Sequence, residues 1–392
     1  METIDYSEAR STRLEHTSDH DFTPGPSTPR REIRAETPTK RALTPPPLLN
    51  FLKDTSVTKP TAKPALPLLL LTTPEAISKY TPTTFHPSIL PPELATQLYY
   101  ELIDISKSWP KYKWYLNDRM VESTHTASYF ARYESDTKEQ ERDLANRHWW
   151  QGKMMGPSKQ FTPLLETTLQ HIEKFVRGEV AKRRRYPLEW AGDWTANSCA
   201  VNCYRGSKEG VGAHADQLTY LGPYPTIASI SLGTTRRFRL REVIPIHERE
   251  TRQAQTFDIP LPHNSLLIMH PPTQERFKHS IPTATSIDAF RPPFPREPGD
   301  DIETHVERIN ITFRFCRPDF KAASTPKCKC EGGGKLPALL RSSMKRKKTS
   351  GLDDAEFFWQ CNGAASQEGR SCKMWIPMDL EDRGPFVKDV RK

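Results

Sequence analysis

Hydrophobic residues are scarce in this chain: they make up 35% of 392 residues, while prolines number 36. A sequence so poor in apolar side chains cannot bury its whole length, so part of it is expected to lie outside any core. Long apolar runs are also missing. The greasiest stretch, around Leu66 to Leu71, is far shorter than the ~20 residues a membrane helix needs. The chain opens Met1-Glu-Thr-Ile-Asp5, without the basic and then apolar segments of a secretory leader. The expectation is a soluble, intracellular monomer with no membrane partner. Its seven cysteines then serve as thiols or metal ligands rather than as disulfides.

What is present is unevenly spread. The formal net charge is +9, and between Lys327 and Lys348 eight basic residues face one acid, Glu331, a local charge of +7. Positive charge gathered in this way points to a polyanion, either nucleic acid or an acidic membrane. Residues 1–80, rich in Pro, Thr and Ser, show no sustained periodicity and read as a disordered tail. Its Thr-Pro pairs at Thr23, Thr28, Thr37 and Thr44 are proline-directed phosphorylation sites or plain spacer.

Residues 85–320 carry the patterns of a folded domain. Leu94, Leu98, Leu102 and Ile105 recur at helical spacing after Pro91-Pro92, and a second apolar stripe runs from Phe161 to Val176 with Pro163 in its first turn. From Trp194 onward the texture becomes short alternating or β-branched runs: 199–204, 226–232, 237–243, 265–269 and 308–315. Helices followed by such strands predict an α+β, mainly β fold, a sandwich or jelly roll flanked by N-terminal helices. Residues 244–262 and 283–305 read as loop insertions.

A His-x-acid pair followed by a distant His is the sequence form of a facial triad, which leaves three positions open on Fe(II). The pair occurs three times: His171-x-Glu173, His214-x-Asp216 and His305-x-Glu307. The first falls in a predicted helix, where residues two apart diverge by about 200° and cannot chelate one ion. The third has no later histidine in its domain. Only His214-x-Asp216 has a strand before it and, after two more strands, His279 in Lys278-His-Ser-Ile-Pro282.

Arg308-Ile-Asn310-Ile-Thr312-Phe-Arg314 alternates polar with apolar, so two arginines share one strand face. If that face is inward the arginines need anions, and a dicarboxylate would supply two. Asn202 and Tyr204, also two apart, could add neutral donors. The competing reading is a half-buried strand with an exposed basic face.

In this order, Asn202-x-Tyr204, His214-x-Asp216, Ile227–Gly233, Asn264–Met269, His279–Pro282 and Arg308-x-Asn-x-Thr-Phe-Arg314 resemble the AlkB-like dioxygenases, over roughly residues 85–320. The resemblance implies a double-stranded β-helix that uses Fe(II), 2-oxoglutarate and O2 to oxidise methyl groups on damaged bases in DNA or RNA, releasing formaldehyde. It implies that Arg308 binds the distal carboxylate of 2-oxoglutarate, that Asn202, Tyr204 and Asn310 assist, and that Arg314 sits near the carboxylate on iron. Tyr129, Phe130 and Tyr133 lie where relatives carry base-stacking aromatics, although core packing competes for them. Relatives often place an acid shortly after the metal Asp; here Gln217, Leu218, Thr219 and Tyr220 follow, which leaves the choice of base open.

Residues 326–380 hold Cys328, Cys330, Cys361 and Cys372 among few aliphatics. Four thiolates suit tetrahedral Zn(II), which would itself supply folding energy. The segment resembles a GRF-type zinc finger, a module that binds single-stranded DNA, although the Gly-Arg-Phe of its name reads Ala355-Glu-Phe357 here. Arg341 and the 345–348 basic run beside Phe357, Phe358, Trp359 and Trp375 suit phosphate contact plus stacking; the same run would serve as a nuclear localisation signal. These readings predict a DNA demethylase of the nucleus, with the cytoplasm also open to it, acting on single strands or locally opened duplex. An RNA demethylase, a protein hydroxylase and a jelly-roll reader without chemistry are the alternatives.

Overall fold

A computed structural model describes residues 65–116, 119–132, 149–150, 153–154, 158–328, 330, 336–344, 355–363, 371–381 and 383–387. The Thr-Pro pairs of the tail and most of the 327–348 basic run lie outside these residues.

The described chain begins with β1 (Leu69–Leu70), α1 (Pro74–Tyr80), β2 (Thr83–His86) and α2 (Pro92–Ser106). Next come β3 (Lys113–Leu116), β4 (Arg119–Glu122), β5 (Thr126–Ala131), β6 (Trp149–Trp150), β7 (Lys153–Met154), β8 (Lys159–Gln160) and the long helix α3 (Pro163–Ala181). The strands β9 (Ser198–Arg205), β10 (Val211–His214), β11 (Ile227–Gly233), β12 (Arg236–Glu242), β13 (Thr256–Leu261) and β14 (Ser265–Met269) follow. A single turn, α4 (Thr273–Arg276), opens β15 (Phe277–Ile281), and β16 (Glu307–Arg314) completes the domain. Three further strands, β17 (Leu339–Met344), β18 (Ala355–Gln360) and β19 (Trp375–Pro377), form a sheet of their own.

Both long helices start as their sequences dictate. Proline occupies the first turn of each, where a missing N–H costs nothing, and Thr162 caps α3 by accepting the Leu165 N–H at 3.2 Å. Their apolar stripes cover one face of a seven-stranded sheet, ordered β2-β14-β11-β16-β9-β5-β8. The other face packs on a five-stranded sheet, β1-β13-β12-β15-β10, through Tyr204, Ile227, Phe238, Leu240, Ile259 and Leu267 among others. Central β11 is therefore buried along its whole length, and its sequence Ile-Ala-Ser-Ile-Ser-Leu-Gly carries no charge. Two stacked, mainly antiparallel sheets with helices on one outer face make the double-stranded β-helix expected above.

Three boundaries differ from the sequence reading. Residues 69–80, assigned to the tail, contain β1 and α1, and β1 adds a parallel edge to β13. The 244–262 insertion contains β13, whose alternating Phe257, Ile259 and Leu261 point into the inter-sheet core. The C-terminal segment also has a core of its own, and it is a shared one: Ala338, Leu340, Ala355, Phe357 and Trp359 pack with Leu218, Tyr224 and Phe320.

Candidate active site and cysteine cluster

Cross-strand pairing sets the first two histidines opposite each other. His214 on β10 faces His279 on β15, and a register shift between Val211 and His214 makes that pairing possible. Such a bulge re-aims side chains at the end of a strand. The ring centroids lie 4.3 Å apart. Asp216, two residues past His214, turns its Oδ1 to within 3.9 Å of His214 Nε2 and 3.6 Å of His279 Nε2. Among the described residues, these three and a set of four cysteines are the groups whose ligand atoms all fall within 4.8 Å of one another.

The environment sets each group up as a metal donor. His214 Nδ1 donates to the Gly212 carbonyl at 2.8 Å, which turns Nε2 towards Asp216. His279 is buried under Phe238, whose ring stacks on it at 5.4 Å. Burial, with His214 and Arg314 adding to it and Asp216 opposing, drives the His279 imidazole down to about 3, so it is neutral and able to coordinate. Burial alone would raise the Asp216 carboxyl, but Arg314, His279 and His214 together hold it far below the usual carboxylate range. Arg314 Nε donates to Asp216 Oδ2 at 2.9 Å and leaves Oδ1 facing the histidines.

The polar face of β16 runs away from this triad. Thr312 and Asn310 hydrogen-bond each other, and the Asn310 amide donates to Ser229 Oγ and the Ile230 carbonyl of the neighbouring strand. Arg308, 1% exposed, lies deepest. Its Nη2 donates to Ser231 Oγ at 2.9 Å, while Nε and Nη1 are buried with no acceptor. Burial pushes the guanidinium down to about 10, so it is still charged at neutral pH. The Tyr204 ring lies 5.4 Å beneath it, and burial pushes that phenol up to about 12. A buried cation with two idle donors and no ion-pair partner among the described residues is costly by itself, and it fits one carboxylate of a dicarboxylate. The donor set of the triad, two imidazoles and one carboxylate, likewise fits ferrous iron with open positions.

Sequence reasoning passed over several members of this site. His125 stacks on Tyr204 at 4.9 Å, donates Nδ1 to the Gly210 carbonyl at 3.0 Å and shares a hydrogen bond with Asn202. Gln274 accepts the Asp216 N–H at 2.7 Å. Ser229 and Ser231 were legible only as strand residues. Among the aromatics, Tyr129 lies on the site side, within the electrostatic reach of Arg314 and Asp216 and beside Tyr112 at 6.0 Å. Phe130 belongs instead to the helix-side core, because neighbouring strand residues point to opposite faces. Tyr133 and the side chains of Trp149 and Trp150 lie outside the described residues.

The second cluster joins residues from far apart in the C-terminal segment. Cys328, Cys330, Cys361 and Cys372 converge, with Cys330 and Cys361 sulfurs 3.3 Å apart. Sulfurs each about 2.3 Å from one tetrahedral ion sit about 3.8 Å from one another, so the cluster has the dimensions of a Zn(II) site. On the outward face of the adjoining sheet, Phe358 and Trp375 lie 5.5 Å apart with planes 31° from parallel, and Trp375 is 59% exposed. Arg341 is opposite Phe358 in register.

Alpha-ketoglutarate-dependent dioxygenase alkB homolog 3 of Homo sapiens is 36% identical over 170 residues, 43% of this chain and 48% of that protein. DNA oxidative demethylase ALKBH2 of Mus musculus is 32% identical over 127 residues, 32% of this chain and 46% of that protein. The human protein of the same name is 27% identical over 172 residues, 44% of this chain and 53% of that protein. The chain thus spans about half the length of the curated relatives it matches. The model of the 2OG-Fe(II) oxygenase superfamily matches residues 82–314, a span holding the triad and both arginines of β16. With well over half of its length inside that match, the chain belongs to the 2OG-Fe(II) oxygenase superfamily.

Proposed function

We propose that this protein oxidatively demethylates alkylated bases in DNA, in the nucleus, with Fe(II) and 2-oxoglutarate. The observation that carries the reading is the juxtaposition of the His214, Asp216 and His279 donors with the buried guanidinium of Arg308, which has no acidic partner among the described residues. In this reading the triad holds iron, Arg308 binds the distal carboxylate of 2-oxoglutarate, and Tyr204, Asn202 and Asn310 line its slot. Iron with 2-oxoglutarate and O2 supplies the oxidising power that hydroxylates an N-methyl carbon, leaving succinate and CO2.

The protein's own part is placement and exclusion of water. Arg314 neutralises the Asp216 carboxylate and fixes which oxygen faces the histidines. Phe238 and the inter-sheet core close the site behind His279, while His214, with 43% of its side chain exposed, marks the open side. Tyr129, on the site side beside Tyr112, offers a ring face to a base drawn out of its stack. The hydroxylated carbon then leaves as formaldehyde. The cysteine cluster holds Zn(II), and the Phe358–Trp375 face with Arg341 engages single strands or opened duplex. The relatives named DNA oxidative demethylase support DNA over RNA.

The test offers oligonucleotides bearing 1-methyladenine or 3-methylcytosine, single- and double-stranded, deoxy and ribo. Formaldehyde release is followed in the presence of Fe(II) and 2-oxoglutarate. Release is expected to be fastest from single-stranded DNA. Faster release from the ribo forms would make RNA the substrate. No release from any format, while iron and 2-oxoglutarate still bind, would sink base demethylation and leave a protein hydroxylase or a non-catalytic reader.

A further inference from the structure

The loop that carries Asp216 is held from two sides. On one side stands α4: Gln274 Oε1 accepts the Asp216 N–H at 2.7 Å, and Glu275 Oε1 accepts the Tyr224 N–H at 3.0 Å. The same turn of helix runs directly into β15 and so sets the start of the strand that bears His279. On the other side stands the C-terminal sheet. Leu218 and Tyr224 bury themselves against Leu340, Ala355 and Phe357. Thr219 Oγ1 accepts the Leu340 N–H at 3.2 Å, and the Tyr224 hydroxyl accepts the Ala355 N–H at 2.9 Å. β17 also touches α4 directly.

The contact explains a feature of the sequence. Leu218 and Thr219, which follow Asp216 and Gln217 directly in the chain, are both buried. Those positions form a seat for the ribbon. The chain beyond β19 then returns to the domain: Ala191 donates to the Pro385 carbonyl at 2.9 Å, and Val387 donates to the Glu189 carbonyl at 2.8 Å. Arg383 lies 4.3 Å over the Phe320 ring and donates to the Asp319 carbonyl. A tethered finger would need none of these contacts. The cysteines form a small cluster against which, among the described residues, only Leu336 and Met374 pack as hydrophobics, so they lean on a bound metal for their order.

We infer that the cysteine ribbon is a brace of the iron site: with its metal bound it fixes the 217–224 loop and α4, and so holds Asp216 and His279 in position for iron. The inference rests on the zinc reading of the cysteines given above. Thr219 and Tyr224 act through the loop and are positioning residues.

The experiment uses the full chain. Fe(II) is titrated anaerobically with 2-oxoglutarate present, and the visible charge-transfer band of the chelated pair reports occupancy. Amide hydrogen exchange over 216–224 and zinc content are measured in parallel. Cys361→Ser is expected to lose zinc, to weaken Fe(II) binding at least tenfold and to speed exchange in that loop. Because that variant can lose the ribbon entirely, Thr219→Val combined with Tyr224→Phe tests the brace with every metal ligand intact. It is expected to keep its zinc, weaken Fe(II) three- to tenfold and speed the same exchange. Wild-type Fe(II) binding and exchange in the double variant, or in a zinc-free Cys361→Ser chain, overturn the brace. Wild-type protein without zinc would instead remove the zinc reading, and the double variant would still decide whether the ribbon supports the loop.

Discussion

Among the residues, the site is organised by which buried charges have partners. Asp216 has Arg314 and two imidazoles; among the described residues Arg308 has a serine hydroxyl and nothing anionic. Replacing Arg308 by Ala removes two idle charge-assisted donors, worth about 1.5–3 kcal/mol each when a carboxylate occupies them. The affinity for 2-oxoglutarate should fall about 100-fold or more, with Fe(II) binding retained, as equilibrium titration of each would show. Arg308→Met should also raise the melting temperature of the ligand-free protein, since an unpartnered buried cation gives way to an apolar chain of similar length. An unchanged 2-oxoglutarate affinity would mean that the slot lies elsewhere. Glu275 makes a second case. Burial pushes its carboxyl up to about 7 from an ordinary 4.5. As pH rises the unfolded chain therefore releases this proton first, so stability from this site is whole below about pH 4.5 and lost as pH climbs through 7. Glu275→Gln keeps an acceptor for the Tyr224 N–H, and should stabilise the protein by about 2–3 kcal/mol at pH 8 and scarcely at pH 5. Denaturant titration at the two pH values measures this; equal effects at both would refute the buried-acid account. Context rather than spacing singled out His214, Asp216 and His279: a helix cannot aim the i and i+2 residues of His171-x-Glu173 at one ion, and no histidine follows His305-x-Glu307 in its domain. Tyr129 and Phe130 were not separable in the same way, since the phase of β5 against its sheet depends on pairing with β9, which local sequence does not carry. Gln274 and Glu275 were invisible for a similar reason: their partners lie 58 and 51 residues away.

For whole elements, legibility followed burial. β11, β14 and β16 stood out as uncharged or strictly alternating runs because they lie between helices and a second sheet. β13 was hidden by Pro260 and by polar Thr256 and Asp258. It tolerates the proline because its pairing with β1 stops at Asp258, leaving that edge of Pro260 with no neighbouring strand among the described residues. The end of β11 shows how tightly the central strands constrain the site. Gly233 is paired with Arg308 and adopts φ +87°. A Cβ there would stand 2.3 Å from the Glu307 carbonyl oxygen and 2.6 Å from the Tyr99 ring. Gly233→Ala should therefore cost about 2–3 kcal/mol of stability through strain and collision. It should also weaken 2-oxoglutarate binding by shifting the backbone of Arg308. Calorimetry and titration of the same variant check both, and a wild-type melting curve would show that the strand end has room the geometry denies.

Across the whole molecule, the ribbon presents two opposite faces with different tasks. Alternation along β18 sends Phe357 and Trp359 inward to Leu218 and Tyr224, while Phe358 points out beside Trp375. The sequence displayed the aromatics but not this division, since which face is inward depends on a seat more than a hundred residues earlier in the chain. The division separates binding of nucleic acid from support of iron. Truncating Trp375 to Ala removes one stacking surface, worth about 1–3 kcal/mol per base in single-strand binding. Its affinity for a single-stranded oligonucleotide should fall roughly tenfold, measured by fluorescence anisotropy at fixed salt, with Fe(II) and 2-oxoglutarate binding unchanged. Changes in the seat of the inward face, such as Tyr224→Phe, should do the reverse. If Trp375→Ala instead loosens iron and leaves the oligonucleotide untouched, the outward face is a structural surface, and nucleic acid must reach the iron by a route that bypasses the ribbon.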